Sequence, residues 1–144
     1  MIKTTYEAFL EKNGEMTYSN VGVSMLPLLK QGRDLFTVRK KGKKRCKKYD
    51  VVLYRRPPSS YVLHRVIEVR EKDYVILGDN CVNKEYGITD DDIIGVMTSF
   101  VHNGKKHSVN EFWYRFYSHL WVDFAAFRII PRRLKYKLKR MIKP

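Results

Sequence analysis

Ser24, His64, Asp79 and Glu85 are side chains whose types suit one shared chemistry. A serine hydroxyl becomes a useful nucleophile when a nearby base takes its proton. Histidine, with an ordinary pKa of about 6.5, suits that task at neutral pH, and an acid can orient and charge-stabilise the imidazole. Ser24 lies in VGVSMLPLLKQGRD (21–34), between two apolar runs. Gly22 permits close backbone approach, and Pro27 fixes its own φ while driving Leu26 from the helical region, so Ser24-Met25-Leu26-Pro27 reads as a stiff turn. His64 lies in YVLHRVI (61–67), where alternation puts it on one face with Val62 and Val66, opposite Leu63, Ile67 and Val69. Asp79 belongs to Leu77-Gly78-Asp79-Asn80, and Glu85 follows six residues later. Each feature also has an ordinary explanation: a turn serine, a satisfied strand histidine, a capping aspartate.

The elements that must position these residues are short. Thr4-Thr5-Tyr6-Glu7 has capping-box spacing, Tyr6, Phe9 and Leu10 follow at helical intervals, and Asn13-Gly14 supplies a stop, predicting a helix over 5–12. From Met16 to Asn110 the pattern becomes apolar runs between turn residues. Strands are expected at 16–23, 34–40, 49–55, 61–70, 74–77 and 93–101, with turns at Pro57-Pro58-Ser59-Ser60 and Asn103-Gly104. Ser108-Val109-Asn110-Glu111 again has capping-box spacing. Beyond it Phe112, Phe116, Leu120 and Phe124 fall four apart, as do Trp113, Tyr117 and Trp121; this broad aromatic face is expected to pack on the β region. Pro131 is expected to end that helix or start the next, whose Leu134, Leu138, Met141 and Ile142 form an apolar stripe among cations. The fold class expected is mainly β (α+β): a small, coiled mixed-β domain with an N-terminal helix over 1–110, then a helical extension over 111–144.

The net charge of +14 is concentrated in two segments. RKKGKKRCKK (39–48) and the stretch 128–144 each carry eight Lys/Arg and no acid, leaving 13 basic against 15 acidic residues elsewhere. A nucleic-acid-binding domain more often spreads cations over its folded elements, so nucleic acid is disfavoured as a partner. The final helix reads equally well as an attachment to an anionic membrane surface or as a solvated basic arm. The 39–48 segment reads as a solvated, flexible insertion. Cys46 and Cys81 lack CxxC spacing and the histidines lack HExxH spacing, so two free thiols, no metal and no cofactor are expected. Neither a secretory leader nor a transmembrane segment is expected, which favours a cytoplasmic location, peripheral on the membrane if the tail attaches there.

The order of these features carries a resemblance. Ser24-Met25-Leu26-Pro27, then Asp50-Val51-Val52, His64-Arg65-Val66-Ile67, Gly78-Asp79-Asn80 and Ile93-Ile94-Gly95 resemble the type I signal peptidase family over about residues 18–100. That family shares its fold with self-cleaving SOS repressors. Most bacterial members carry a lysine base immediately before Arg-Val-Ile; His64 stands here, as in the Ser/His branch of endoplasmic-reticulum-type and sporulation-type signal peptidases. The resemblance implies Ser24 as nucleophile, His64 as general base, and Asp79 or Glu85 as the third residue, Glu85 standing where that branch has aspartate. Gly22, Ser24, Met25 and Pro27 form its active-site turn. Gly22 replaces the serine that members commonly have two residues before the nucleophile, and Val23 replaces a small residue, so an oxyanion hole here depends on backbone N–H groups such as that of Ser24. The implied activity is a serine endopeptidase that cleaves leader- or signal-type peptides through an acyl-enzyme. Its substrate is a peptide or preprotein, extended beside the strand that leads to Ser24. The alternative is a non-catalytic binding module on the same fold, its basic loop and tail holding nucleic acid or an acidic partner. A self-cleaving repressor is disfavoured, because no helix-turn-helix precedes the motifs and no lysine holds the base position.

Overall fold

The computed structural model describes residues 5–56 and 60–142. The chain opens with α1 (Tyr6–Asn13), one residue later than the sequence predicts at each end. The Thr5 side chain accepts from the Ala8 N–H at 3.0 Å, and Gly14, at φ +80°, closes the helix by donating its N–H to Leu10 O. Leu10 carries the helix into the core.

Eight strands follow: β1 (Glu15–Ser19), β2 (Leu35–Lys40), β3 (Val51–Arg56), β4 (Ser60–Val69), β5 (Tyr74–Leu77), β6 (Glu85–Ile88), β7 (Ile93–His102) and β8 (Lys105–Ser108). They form one sheet in the order β1-β2-β7-β3-β4-β5-β6, with β8 added on β7, and every described pairing is antiparallel. Register shifts in the β2–β7, β3–β7, β4–β5 and β5–β6 pairings curl the sheet. The fold is therefore α+β and mostly β, with an antiparallel sheet where a mixed one was expected.

β3 is buried on both faces, so its alternation feeds two cores. Val51 and Leu53 join Leu10, Met25, Leu29, Phe36 and Phe100 on one side; Val52 and Tyr54 join Val66, Tyr74, Ile76 and Cys46 on the other. The expected alternation of β4 holds from Val62 to Val66, with Leu63 in the first core and Val62 and Val66 in the second. The register shift between Val66 and Glu68 then pairs Val69 with Tyr74, on the Val66 face rather than the expected Leu63 face.

Several elements differ from expectation. The first strand ends at Ser19 rather than Val23: its ladder with β2 runs out at Ser19–Leu35, and Gly22 turns away at φ +87°. The four-residue β6, in which only Tyr86 and Ile88 alternate, and the polar β8 are too short and weakly patterned to announce themselves and exist through pairing with β5 and β7. The Asn103-Gly104 turn forms, both residues at positive φ. The expected Pro57–Ser60 turn lies outside the described residues except for Ser60, where β4 begins.

The basic segment is docked rather than a free, solvated insertion. Arg45 stacks 4.7 Å from the Tyr74 ring centroid and pairs with Asp90, and the Cys46 N–H donates to the Tyr74 hydroxyl at 2.9 Å.

Two helices follow among the described residues, α2 (Phe112–Asp123) and α3 (Ala125–Ile142). The break between them falls at Phe124, and Pro131 lies inside α3, neither ending one helix nor starting the next. Arg128 and Arg132 explain the continuity: they bond the carbonyls of Asp79 and Asn80 and pin the helix on both sides of the proline. The aromatic face is corrected too. Tyr114 and Ser118 are buried, and Tyr117 and Trp121 of the expected face pack inward onto Asp79, while Phe112, Trp113, Phe116, Leu120 and Phe124 face outward.

Candidate active site

Ser24 occupies a tight turn, as the sequence predicts, although the strand before it stops at Ser19. The Leu26 N–H donates to Val23 O at 3.2 Å, Met25 is fully buried in the first core, and the Leu26–Pro27 peptide is cis. Burying a methionine side chain contributes about 1.5–3 kcal/mol, enough to fix the residue beside the serine. Gly22 donates its N–H to Gln31 Oε1 at 2.7 Å. A Cβ on Gly22 would meet nothing within 4 Å, so φ +87°, not lack of space, is what favours glycine there.

A second turn grips this one. The Asn80 N–H donates to Ser24 O at 2.8 Å, and Asn80 Nδ2 donates to Val23 O at 3.0 Å. Gly78 is the tightest point. A Cβ there would stand 2.8 Å from Ser24 O, 2.9 Å from His64 Nε2 and 2.7 Å from Cys81 Sγ. The Ser24 turn and the imidazole thus face one another across an atom-sized gap that only glycine leaves open. Among the described residues no hydrogen bond joins Ser24 Oγ to His64, and nothing accepts from the Ser24 N–H.

His64 pairs across the ladder with Val52, which makes Tyr54 its diagonal neighbour on the same face. The Tyr54 hydroxyl lies 3.3 Å from His64 Nδ1 and donates to Glu85 Oε2 at 2.6 Å. Arg56 holds the other carboxylate oxygen, Oε1, at 2.5 Å. Burial, then the Glu85 hydrogen bond, raises Tyr54 well above the ordinary tyrosine pKa, so its single proton stays on the hydroxyl and points to Glu85. The phenol oxygen is then an acceptor toward Nδ1. This fixes the neutral tautomer with hydrogen on Nδ1 and the lone pair on Nε2, the nitrogen beside Ser24. Burial, reinforced by Arg56, lowers the His64 pKa to about 4, so the imidazole is neutral at pH 7.

Asp79 is engaged elsewhere. Both of its oxygens bind Arg65, Oδ1 to Nε at 2.8 Å and Oδ2 to Nη2 at 2.9 Å, and both side chains are buried. The Tyr117 hydroxyl donates to Oδ2 at 2.7 Å, and Trp121 Nε1 and Arg128 donate to the Asp79 carbonyl. Arg65 also bonds Tyr49 O and Ser118 Oγ. The aspartate thereby ties the Gly78–Asn80 turn to α2 and α3.

Ser24, His64, Glu85, Arg56 and Arg132 line one cleft of about 860 Å³. It runs between β1 and the first half of β4, whose Tyr61–His64 stretch pairs with β3 alone. Asn20, four residues before Ser24, also lines it, and its buried Nδ2 has no partner among the described residues.

The structure therefore brings Ser24 and His64 together, places Glu85 one hydroxyl from the imidazole, and commits Asp79 to Arg65. Met25 and Pro27 shape the serine turn, and Gly22 turns the chain into it. Sequence reasoning missed Tyr54, Arg56 and Asn20. Pairing the Asp50-Val51-Val52 run against His64-Arg65-Val66-Ile67 would have placed Tyr54 beside the histidine; the other two carry no local signal.

Among the described residues no three His, Cys, Asp or Glu side chains cluster as a metal site, and Cys46 and Cys81 are free thiols. Among the described residues no helix is long and apolar enough to cross a membrane. No family model matches the chain, and neither a curated protein nor a solved structure matches it.

Proposed function

We propose that the protein is a serine endopeptidase of the signal-peptidase type, with Ser24 as nucleophile, His64 as general base and Glu85 acting on His64 through Tyr54. The observation that carries this reading is the directionality of the Glu85–Tyr54–His64 chain. It ends with an unprotonated Nε2 turned toward the Ser24 turn.

In the proposed reaction the Ser24 hydroxyl rotates toward Nε2 as a peptide carbonyl enters the cleft. His64 takes the proton while Oγ attacks the carbonyl carbon. The imidazolium is stabilised through Nδ1–H, the Tyr54 oxygen and the Glu85 carboxylate, and it returns the proton to the departing amine. Water then hydrolyses the acyl-enzyme by the same route. The Ser24 N–H supplies one donor for the oxyanion, and Gly22 at positive φ brings no hydroxyl to that task.

An extended peptide suits the cleft, because β1 is the edge of the sheet and the first half of β4 has one free side. The unpartnered Asn20 amide offers a donor to a substrate carbonyl. Leader- or signal-type peptides are the proposed substrates, on the strength of the motif order.

The test is turnover of a peptide library by wild type, Ser24→Ala and His64→Ala, with products read by mass spectrometry. Cleavage at defined bonds that both variants lose supports the reading. Intact peptides with wild type, or cleavage that survives Ser24→Ala, overturn it.

A further inference from the structure

We propose that the outward faces of α2 and α3 form one interfacial surface that lies on an anionic lipid bilayer, independently of any chemistry at Ser24. Twelve of the nineteen exposed large hydrophobic residues described lie between Phe112 and Ile142, so the apolar exposure is a feature of these two helices rather than general surface scatter.

The geometry of α3 is informative. Ala125 and Ile129 are buried against Leu77, and Arg128 and Arg132 bond the Asp79 and Asn80 carbonyls, which fixes the face turned to the domain. At 100° per residue, Phe127, Ile130, Leu134, Leu138 and Met141 fall on the opposite side, and all five are exposed. Arg133, Lys137 and Arg140 on one side and Lys135 on the other flank that stripe, and no acidic residue occurs from Phe124 to the end of the chain. On α2, Phe112, Trp113, Phe116 and Leu120 add exposed aromatic and aliphatic surface, while Tyr114 and Ser118 hold the helix to the body. The one acid of α2, Asp123, accepts from the Tyr49 hydroxyl at 2.9 Å.

Charge complementarity selects the occupant. A second copy would set the same cationic flanks against each other. A nucleic acid would neutralise the cations and leave the Phe–Leu–Met stripe in water. An anionic membrane surface satisfies both, with the stripe at the acyl boundary and the lysines and arginines among the headgroups. Among the described residues no helix is long and apolar enough to cross, so α3 lies in the plane of the interface. Because Arg132 also lines the cleft, the docked face and the cleft share one rigid attachment, which sets the cleft beside the membrane surface.

The experiment uses the full chain with vesicles of phosphatidylcholine alone or mixed with phosphatidylglycerol, read by co-sedimentation and tryptophan emission. Trp113 is 76% exposed and reports docking, whereas Trp121 is stacked on Tyr117 and reports the fold. The expected result is binding at least about tenfold tighter to the anionic vesicles, weakened by salt, with a blue shift that Trp113→Phe abolishes. Leu134→Glu with Leu138→Glu should abolish binding at unchanged circular dichroism; Lys135→Gln with Lys137→Gln should weaken it at the anionic vesicles without touching the apolar stripe. Failure to sediment with anionic vesicles overturns the proposal. So does a concentration-dependent dimer that buries Trp113 without lipid, or an oligonucleotide bound more tightly than the vesicles and indifferent to Leu134→Glu.

Discussion

The hydroxyl of Tyr54 stands 3.3 Å from Nδ1 of His64 and donates its hydrogen bond to Glu85. A tyrosine is thus interposed where a direct acid–imidazole contact is the simpler arrangement, and it transmits both orientation and charge. Tyr54→Phe keeps the ring in the second core and removes only the link. Under the proposed mechanism kcat falls by about 10²-fold with KM little changed, since tautomer control matters most as the imidazolium forms. Glu85→Gln should cost a similar factor, and the double variant little more than either alone. Additive losses in a double-mutant cycle would separate the two residues.

Asp79 answers to a different measurement. Its carboxylate is half of a buried, bidentate pair with Arg65, and removing one partner of such a pair costs about 3–5 kcal/mol. Asp79→Asn should lower the urea midpoint markedly, whereas Glu85→Gln, at a partly exposed site, should leave it nearly unchanged. Equal stability losses in the two variants would contradict this division of roles.

The pH dependence follows from the same burial. The ordinary histidine value predicts loss of activity below about pH 6.5. With the folded His64 pKa lowered to about 4, the base form persists, and the acid limb of kcat/KM should fall near pH 4. The stability consequence has a definite sign. Between about pH 6.5 and 4 the unfolded chain binds a proton that the folded chain does not. Stability from the neutral imidazole is therefore full above pH 6.5 and declines toward pH 4, by roughly 3 kcal/mol in all. His64→Gln should flatten this part of the urea-midpoint profile while leaving the carboxylate-driven loss at lower pH.

Gly78 shows how far the sequence could be read. It appeared as one residue of a turn, and the turn is where it was expected. What local pattern could not convey is that the turn, the serine and the histidine converge on a single point with no room for a methyl group. The apolar strands were legible because burial on both faces leaves a continuous apolar run such as Val51–Tyr54 between turn residues; β6 and β8 were not, because neighbours hold them. The aromatic row of α2 misled for a related reason, since periodicity identifies a face without saying whether protein, lipid or water covers it. Ser24 and His64 were legible as types, and Tyr54 required strand register. Gly78→Ala must displace the Ser24 carbonyl or the imidazole, so it should reduce turnover by about 10²-fold or more while far-UV circular dichroism stays that of the wild type. Full activity in that variant would refute the close approach.

Asn20 offers the sharpest contrast between stability and binding. A buried amide donor without a partner costs about 1–3 kcal/mol in the free protein, and it is tolerated where an incoming group can satisfy it. Asn20 lines the cleft beside the Ser24 turn, and the proposed substrate brings a row of peptide carbonyls. Asn20→Ala removes the unsatisfied donor, so the free protein should keep its urea midpoint within about 1 kcal/mol of wild type, the relieved desolvation offsetting the lost volume. Substrate binding should suffer instead, with KM rising about tenfold and kcat nearly preserved if the amide meets the peptide away from the scissile bond. A fall in kcat at constant KM would move the Asn20 amide to the oxyanion. Strong destabilisation with unchanged kinetics would show that its role is confined to packing.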